Sequence, residues 1–368
     1  VDALSVSNPY STGTGSHSMV RCNFLRFKVL FSLLCLCSIG SLSAGENDRL
    51  IKLDDSVYAR IVSPNGNAVG NSGFVILENW VVVFDTHFTP EEGQQLKDAI
   101  KTVTPLPVLC VINSHYHPDH THGNQVFKNA FVIGSKGTRE DVLQKDLPSL
   151  ERSILVTSTQ LERMREDLSK LKDPEKIEST RDQVRTRESY LQTLQKLDIK
   201  EPLVAMKDYL AIRVGLDEAQ ILCIGSGHTE NDAILYVPSK KIVFCGGLFF
   251  NTAIPNVQDA NILTWMKTLM RMLEMDADIF VPGHGPPGNR RKVQDFLEYF
   301  YSLRALVEPF VNSGKSLELA MQEVQLPEKY RSYRFKNLFP SNIQKMYEEL
   351  KAELLLSIPI EGPQLPKK

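Results

Sequence analysis

The sequence predicts an α/β fold. Short apolar runs recur between turn residues, amphipathic helical stretches alternate with them, and two further helical regions lie outside that alternation. Strands are expected at Gly73 to Leu77, Val81 to Asp85, Val108 to Asn113, Phe131 to Ile133, Ala219 to Ile224, Ala233 to Tyr236, Ile242 to Cys245 and Asp278 to Val281. Helices are expected at Pro90 to Val103 and Ala260 to Met275. Arg139 to Lys200 interrupts this series with a segment rich in Leu, Glu, Lys and Arg. Its apolar residues Leu161, Met164, Leu168 and Leu171, then Ile177, Val184, Leu191 and Leu194, fall at heptad-like spacing on either side of Asp173-Pro174. A proline there breaks the helix, which predicts an antiparallel helical hairpin whose arms pack on each other, coiled-coil fashion. A hairpin paired only with itself, an arm for dimerisation and an arm covering substrate all fit that reading. The tail is expected to be helical at Arg291 to Asn312, Ser316 to Val324 and Ser341 to Leu355, punctuated by Gly314 and Pro327.

The densest chemical signal is NSHYHPDHTHGN, Asn113 to Asn124, in which four of the chain's eight histidines fall between positions 115 and 122. In an extended segment alternate residues point the same way, so His115 and His117 can reach one ion. Asp119 and His120 follow the turn at Pro118 and can face a second. Neutral imidazole and carboxylate are zinc ligands, and a catalytic zinc keeps a position open for water. Four side chains on one loop cannot close two coordination spheres. His228, after an apolar strand in GSGHTEND, and His284, in VPGHGPPG, are the further candidates. His17 and His87 have weaker claims.

From about Val57 to Gly288 the chain resembles the metallo-β-lactamase superfamily. The resemblance rests on VVVFDTH ending near Asp85-Thr86, on HxHxDH from His115 to His120, on GHT at Gly227 to Thr229, on KIVFCGG ending near Gly247, and on PGHG at Pro282 to Gly285. It implies an αββα sandwich with metals at one edge. It also implies a first metal held by His115, His117 and His228, a second held by Asp119, His120 and His284, and Asp85 behind the ligands. A metal-bound hydroxide would then attack an amide, lactam, ester or thioester. Asp119 and Asn256 are the residues the resemblance assigns to the reaction, Asn256 near a substrate carbonyl.

One departure stands out. Where hydrolases of this group carry a bridging aspartate, or one lactamase subclass a cysteine, this chain has Gly247. Cys245 lies two residues earlier and reads as a buried thiol. The cation or hydroxyls that would hold a lactam's carboxylate are replaced by Gly247, Phe249 and Phe250, and the two phenylalanines are expected to give the groove an apolar wall.

The formal net charge of −2 excludes a global attraction for nucleic acid. Met19 to about Ala44 reads as a signal peptide: Arg21, Arg26 and Lys28, an apolar run from Val29 to Ile39, then small residues at Ser41, Ser43 and Ala44. It is too short for a stable membrane anchor, so a secreted or periplasmic protein is expected. Residues 1–18, polar and without methionine, are read as upstream of the true start. The mature chain would keep Cys110, Cys223 and Cys245, with no disulfide framework. The organisation expected is therefore residues 45–288 as the metal-binding domain, interrupted by 139–200, then 289–368 as a helical extension. The function expected is an exported hydrolase with two zinc ions and a small-molecule substrate. A single-iron oxygenase of the persulfide type and a metal-stabilised binding protein are the alternatives.

Overall fold

The computed structural model describes residues 49–63 and 69–357. The expected signal peptide and the stretch before it lie outside those residues. Among the described residues, seven strands form one sheet in sequence order: β1 (Arg49–Asp54), β2 (Val57–Ile61), β3 (Ser72–Leu77), β4 (Trp80–Phe84), β5 (Val108–Ile112), β6 (Phe131–Ser135) and β7 (Val204–Met206). The second sheet runs β12 (Ile279–His284), β11 (Ile242–Phe250), β10 (Ile234–Val237), β9 (Asp217–Leu222), β8 (Tyr209–Val214). β4, β5, β6 and β7 pair in parallel in that order, as do β11 and β12, while the remaining pairs are antiparallel. Most expected strands sit within two residues of these; β11 and β12 run on five and three residues past the expected ends at Cys245 and Val281, and β1, β2, β7 and β8 were not anticipated.

Alternation along β4 shows how the layers form. Val82 and Phe84 point into the space between the sheets, where they meet Ile221, Leu235, Phe244 and Val281 of the second sheet. Val81 and Val83 point outward and pack with Leu96 and Ile100 of α1 (Pro90–Val103). Both faces of the strand are covered, which is why its sequence is apolar at every step. Thr89 caps α1 by accepting from the Glu92 amide at 3.2 Å, and Pro90 occupies the first turn, where no amide donor is needed. The short α2 (Pro118–Thr121) lies inside the histidine motif. Next come α3 (Lys136–Asp141), a π-helical turn at Val142–Asp146, and the hairpin arms α4 (Leu147–Lys170) and α5 (Pro174–Lys196). The outer face of the second sheet is covered by α6 (Ile262–Glu274) and α7 (Arg290–Asn312), whose Trp265, Phe296 and Phe300 pack together. After α8 (Leu317–Glu323), the last element among the described residues is α9 (Phe339–Ser357). No described helix is long and apolar enough to cross a membrane.

The site begins where β4 ends. Asp85 and His87 both adopt left-handed backbone, with φ of 56° and 70°. For a residue with a side chain that costs roughly 1–3 kcal/mol and persists only where the surroundings fix it. They are fixed by the Asp85 amide on the Ile112 carbonyl (2.9 Å) and the Thr86 amide on the His120 carbonyl (2.9 Å). His87 donates through Nδ1 to the Gly70 carbonyl (2.8 Å) and accepts the Ser72 hydroxyl at Nε2 (2.7 Å). Gly70 is thereby pressed against the histidine motif, where an added Cβ would lie 2.7 Å from the Asp119 carbonyl oxygen.

Burial, and then the charge of Arg60, push His87 down to about 3. Between that value and the ordinary 6.5 the unfolded chain binds a proton that the folded chain refuses, so stability falls as pH drops through this window. In chelator-stripped protein, urea unfolding is expected to show a loss of about 2 kcal/mol between pH 6.5 and 5 attributable to this residue. His87→Asn should flatten the slope by that amount, and identical slopes for both proteins would refute the assignment.

Candidate metal centre

Six residues gather at the edge of the sandwich in two groups, His115, His117, His228 and Asp119, His120, His284, the ligand atoms within each group lying within 4.8 Å of one another. Four are delivered by the end of a strand or the loop after one, and Asp119 and His120 by α2. His115 and His117 follow β5, His228 follows β9, and His284 closes β12.

In the first group the outer hydrogen bonds fix which ring nitrogen carries the proton. Asp85 accepts the Ser114 amide (2.8 Å) and the Ser114 hydroxyl (2.8 Å), so the serine oxygen must accept from His115 Nδ1 (2.8 Å). His117 donates from Nε2 to Asp259 (3.0 Å), and His228 donates from Nδ1 to the Asn256 carbonyl (3.1 Å). The remaining nitrogens, His115 Nε2, His117 Nδ1 and His228 Nε2, are bare, and they approach one another at 3.0 and 2.9 Å. Burial, followed by the neighbouring imidazoles, holds His115 and His228 well below the usual histidine range, so both stay neutral. Three lone pairs aimed at one point repel unless a cation stands between them, and neutral imidazoles are ligands zinc accepts.

In the second group Asp119 Oδ2 lies 3.3 Å from His120 Nε2 and 3.4 Å from His284 Nε2. His120 donates from Nδ1 to Asp85 (2.7 Å), while its Nε2 is buried without a hydrogen-bond partner. Burial opposes a charge on His120, yet the carboxylates of Asp119 and Asp85 raise it to about 10. The carboxyl of Asp119 resists burial and is held well below its usual range by His120. Burial lowers His284 to about 4. This spot demands a positive charge, which a divalent cation supplies as well as a proton does. Both donor sets therefore fit metal ions.

Gly247 explains the missing bridging residue. A Cβ there would stand 2.3 Å from His228 Cδ2 and 2.9 Å from His115 Cε1, so the imidazole rings occupy the space an aspartate or cysteine would need. Cys245 is fully buried, its thiol pushed well up by burial, and it joins neither group.

Asn256 contributes its main chain to the site, since its carbonyl accepts from His228 and its side chain accepts the Gln258 amide at 3.0 Å. The apolar groove wall needs correcting. Phe249 and Phe250 are buried, because β11 is covered by α6 and α7, and Phe250 stacks on the His284 ring at 4.5 Å. They support a ligand from behind. His122, the fourth histidine of the motif, bonds Asp146 at 3.2 Å and ties the π-helical turn to the motif. Of the six, only His117 and Asp119 keep appreciable side-chain exposure, 13% and 17%. They mark the open side.

Sequence reasoning missed Asp259, which receives both His117 and the Tyr116 phenol (2.7 Å). Nothing in the motif spacing links positions 117 and 259. It also missed Arg334 of the extension, whose guanidinium lies over the Phe335 ring at 4.7 Å, while that ring meets His284 edge-on at 6.0 Å.

The profile of the metallo-beta-lactamase superfamily matches residues 65–284. The metallo-beta-lactamase IND-1 of Chryseobacterium indologenes is 22% identical over 219 residues, 58% of this chain and 71% of that protein. A linear primary-alkylsulfatase of Pseudomonas sp. is 20% identical over 267 residues, 69% of this chain but 49% of the sulfatase. Among solved structures, a metallo-beta-lactamase from Pontibacter korlensis superposes with a TM-score of 0.51 at 18% identity, over 69% of this chain and 99% of its own, a likeness of fold.

Two substitutions probe the geometry. Gly247→Ala is expected to displace His228 and abolish binding at the first group, read as metal equivalents after dialysis; full retention would contradict the crowding. Asp259→Ala should weaken metal binding about 10–100-fold by freeing His117, measured by chelator competition.

Proposed function

The chain belongs to the metallo-beta-lactamase superfamily, and from that premise we propose that it is a zinc-dependent hydrolase cleaving an amide, lactam, ester or thioester bond. The observation that carries this reading is the convergence of three bare imidazole nitrogens, each fixed from outside, beside a second three-ligand group. Structural zinc sites are usually closed by four ligands rich in cysteine, whereas two three-ligand groups leave open positions.

His115, His117 and His228 would hold one ion, and Asp119, His120 and His284 the other. Bound zinc supplies Lewis acidity, polarising a substrate oxygen and lowering the pKa of water to about 7. The chain's own residues orient and exclude. Ser114, Asp85, Asp259 and the Asn256 carbonyl fix the rings, so little reorganisation accompanies the reaction. Phe250 and Trp265, both beside His228, keep water from the inner side. Substrate would approach past His117 and Asp119. A lactam is the first bond to test, and the sulfatase among the relatives adds alkyl sulfates to the panel. The leader-like stretch from Met19 to Ala44 supports an exported enzyme acting on a small molecule.

Elemental analysis of wild type and Asp119→Ala should give about two zinc ions falling to about one. Turnover of at least one acyl substrate should be lost with the metal. A single iron would favour sulfur oxidation instead, and no metal would refute the hydrolase.

A further inference from the structure

The family match ends at residue 284, yet the segment beyond it grips the loop between β11 and α6 at three places. Arg334 pairs its backbone with that loop: its amide donates to the Thr252 carbonyl (3.0 Å) and its carbonyl accepts from Ile254 (2.9 Å). Asn342 of α9, fully buried, donates to the Pro255 carbonyl (3.0 Å) and to Leu338 (2.8 Å), and accepts the Tyr299 phenol of α7 (2.8 Å). Glu349, also of α9, accepts the amides of Ile262 (2.9 Å) and Leu263 (3.0 Å). Those are the first two residues of α6, where unpaired amides and the helix dipole favour a carboxylate.

Between these anchors lie the two groups that fix the first ligand set. The Asn256 carbonyl, one residue from the Asn342 contact, receives His228, and the Asp259 carboxylate, three residues before the Glu349 contact, receives His117. Asn261 closes the loop by donating its amide to the Gly227 carbonyl (3.0 Å), next to His228. In the second group His120 is held by Asp85 after β4 and His284 lies on β12, and the extension reaches it at Phe335 rather than through the hydrogen bonds of Asn342 and Glu349.

We propose that the C-terminal extension sets the metal affinity of the His115, His117, His228 group, with Asn342 and Glu349 as positioning residues that act through the loop carrying Asn256 and Asp259. Partners behind a metal ligand govern affinity because they fix ring orientation and tautomer, and here those partners are themselves held by helices outside the catalytic domain. The inference rests on the metal reading above.

The test measures zinc affinity by competition with a chromogenic chelator in two backgrounds. Asp119→Ala leaves the first group intact, and His117→Ala leaves the second. Adding Asn342→Ala to the first background should weaken binding about 10–100-fold, and Glu349→Gln, which keeps an acceptor but loses the charge, by several-fold. The same substitutions in the second background should change affinity less than about twofold. Unchanged first-group affinity in a folded Asn342→Ala chain, or an equal loss in both backgrounds, overturns the proposal. Should Asn342→Ala fail to fold by circular dichroism, Glu349→Gln decides by the same criterion. Failure of both unmodified backgrounds to bind zinc would instead refute the metal reading.

Discussion

One buried carboxylate holds the site together. Asp85 sits in left-handed backbone at the end of β4 and accepts three hydrogen bonds, two from Ser114 and one from His120. Through Ser114 it sets the tautomer of His115 in the first group, and through His120 it orients a ligand of the second. A charge buried this deeply is tolerable only when it is well hydrogen-bonded, and that requirement locks the two ligand sets into one frame. The strained turn, the parallel pairing of β4 with β5, and the clamp of His87 on Gly70 all serve to keep Asp85 in place.

Much of this was legible in the sequence because it lies in short local patterns. Apolar runs gave the central strands, Asp173-Pro174 gave the break between the hairpin arms, and the histidine motif with its two downstream histidines pointed to all six residues of the two groups. The edge strands β1 and β8 were harder to see because half-exposed positions dilute their apolar pattern, and β7, at three residues, is too short to carry a pattern at all. The misjudged phenylalanines have a related cause. Position along a strand tells which face a side chain takes, but whether that face meets solvent depends on helices encoded far downstream. Asp259 and the Asn256 carbonyl were invisible because the contacts that matter are long-range and, for Asn256, made by the main chain.

The aromatic residues around His284 show how a metal-binding edge is kept stiff. Its ring lies against the face of Phe250, with interplanar angle 24°, and meets Phe335 at 87°. Phe250 continues into a buried cluster with Trp265 and Phe296, so the ligand ring is supported by the packed layer between β11 and the helices. Such packing excludes water and lowers the local dielectric, strengthening every charge interaction at the site.

The separation between the loop and its outer anchor has a consequence for the order of events in the chain's life. Asn342 lies 87 residues beyond the carbonyl it holds. A chain emerging from the ribosome presents all six ligand residues well before α9 exists, and domains generally form as their segments appear. The pocket would therefore pass through a stage at which its ligands are complete while its bracing is not. Full grip on an ion would come only once α9 has been added, so that metal retention would report that the chain has been made at least as far as that helix.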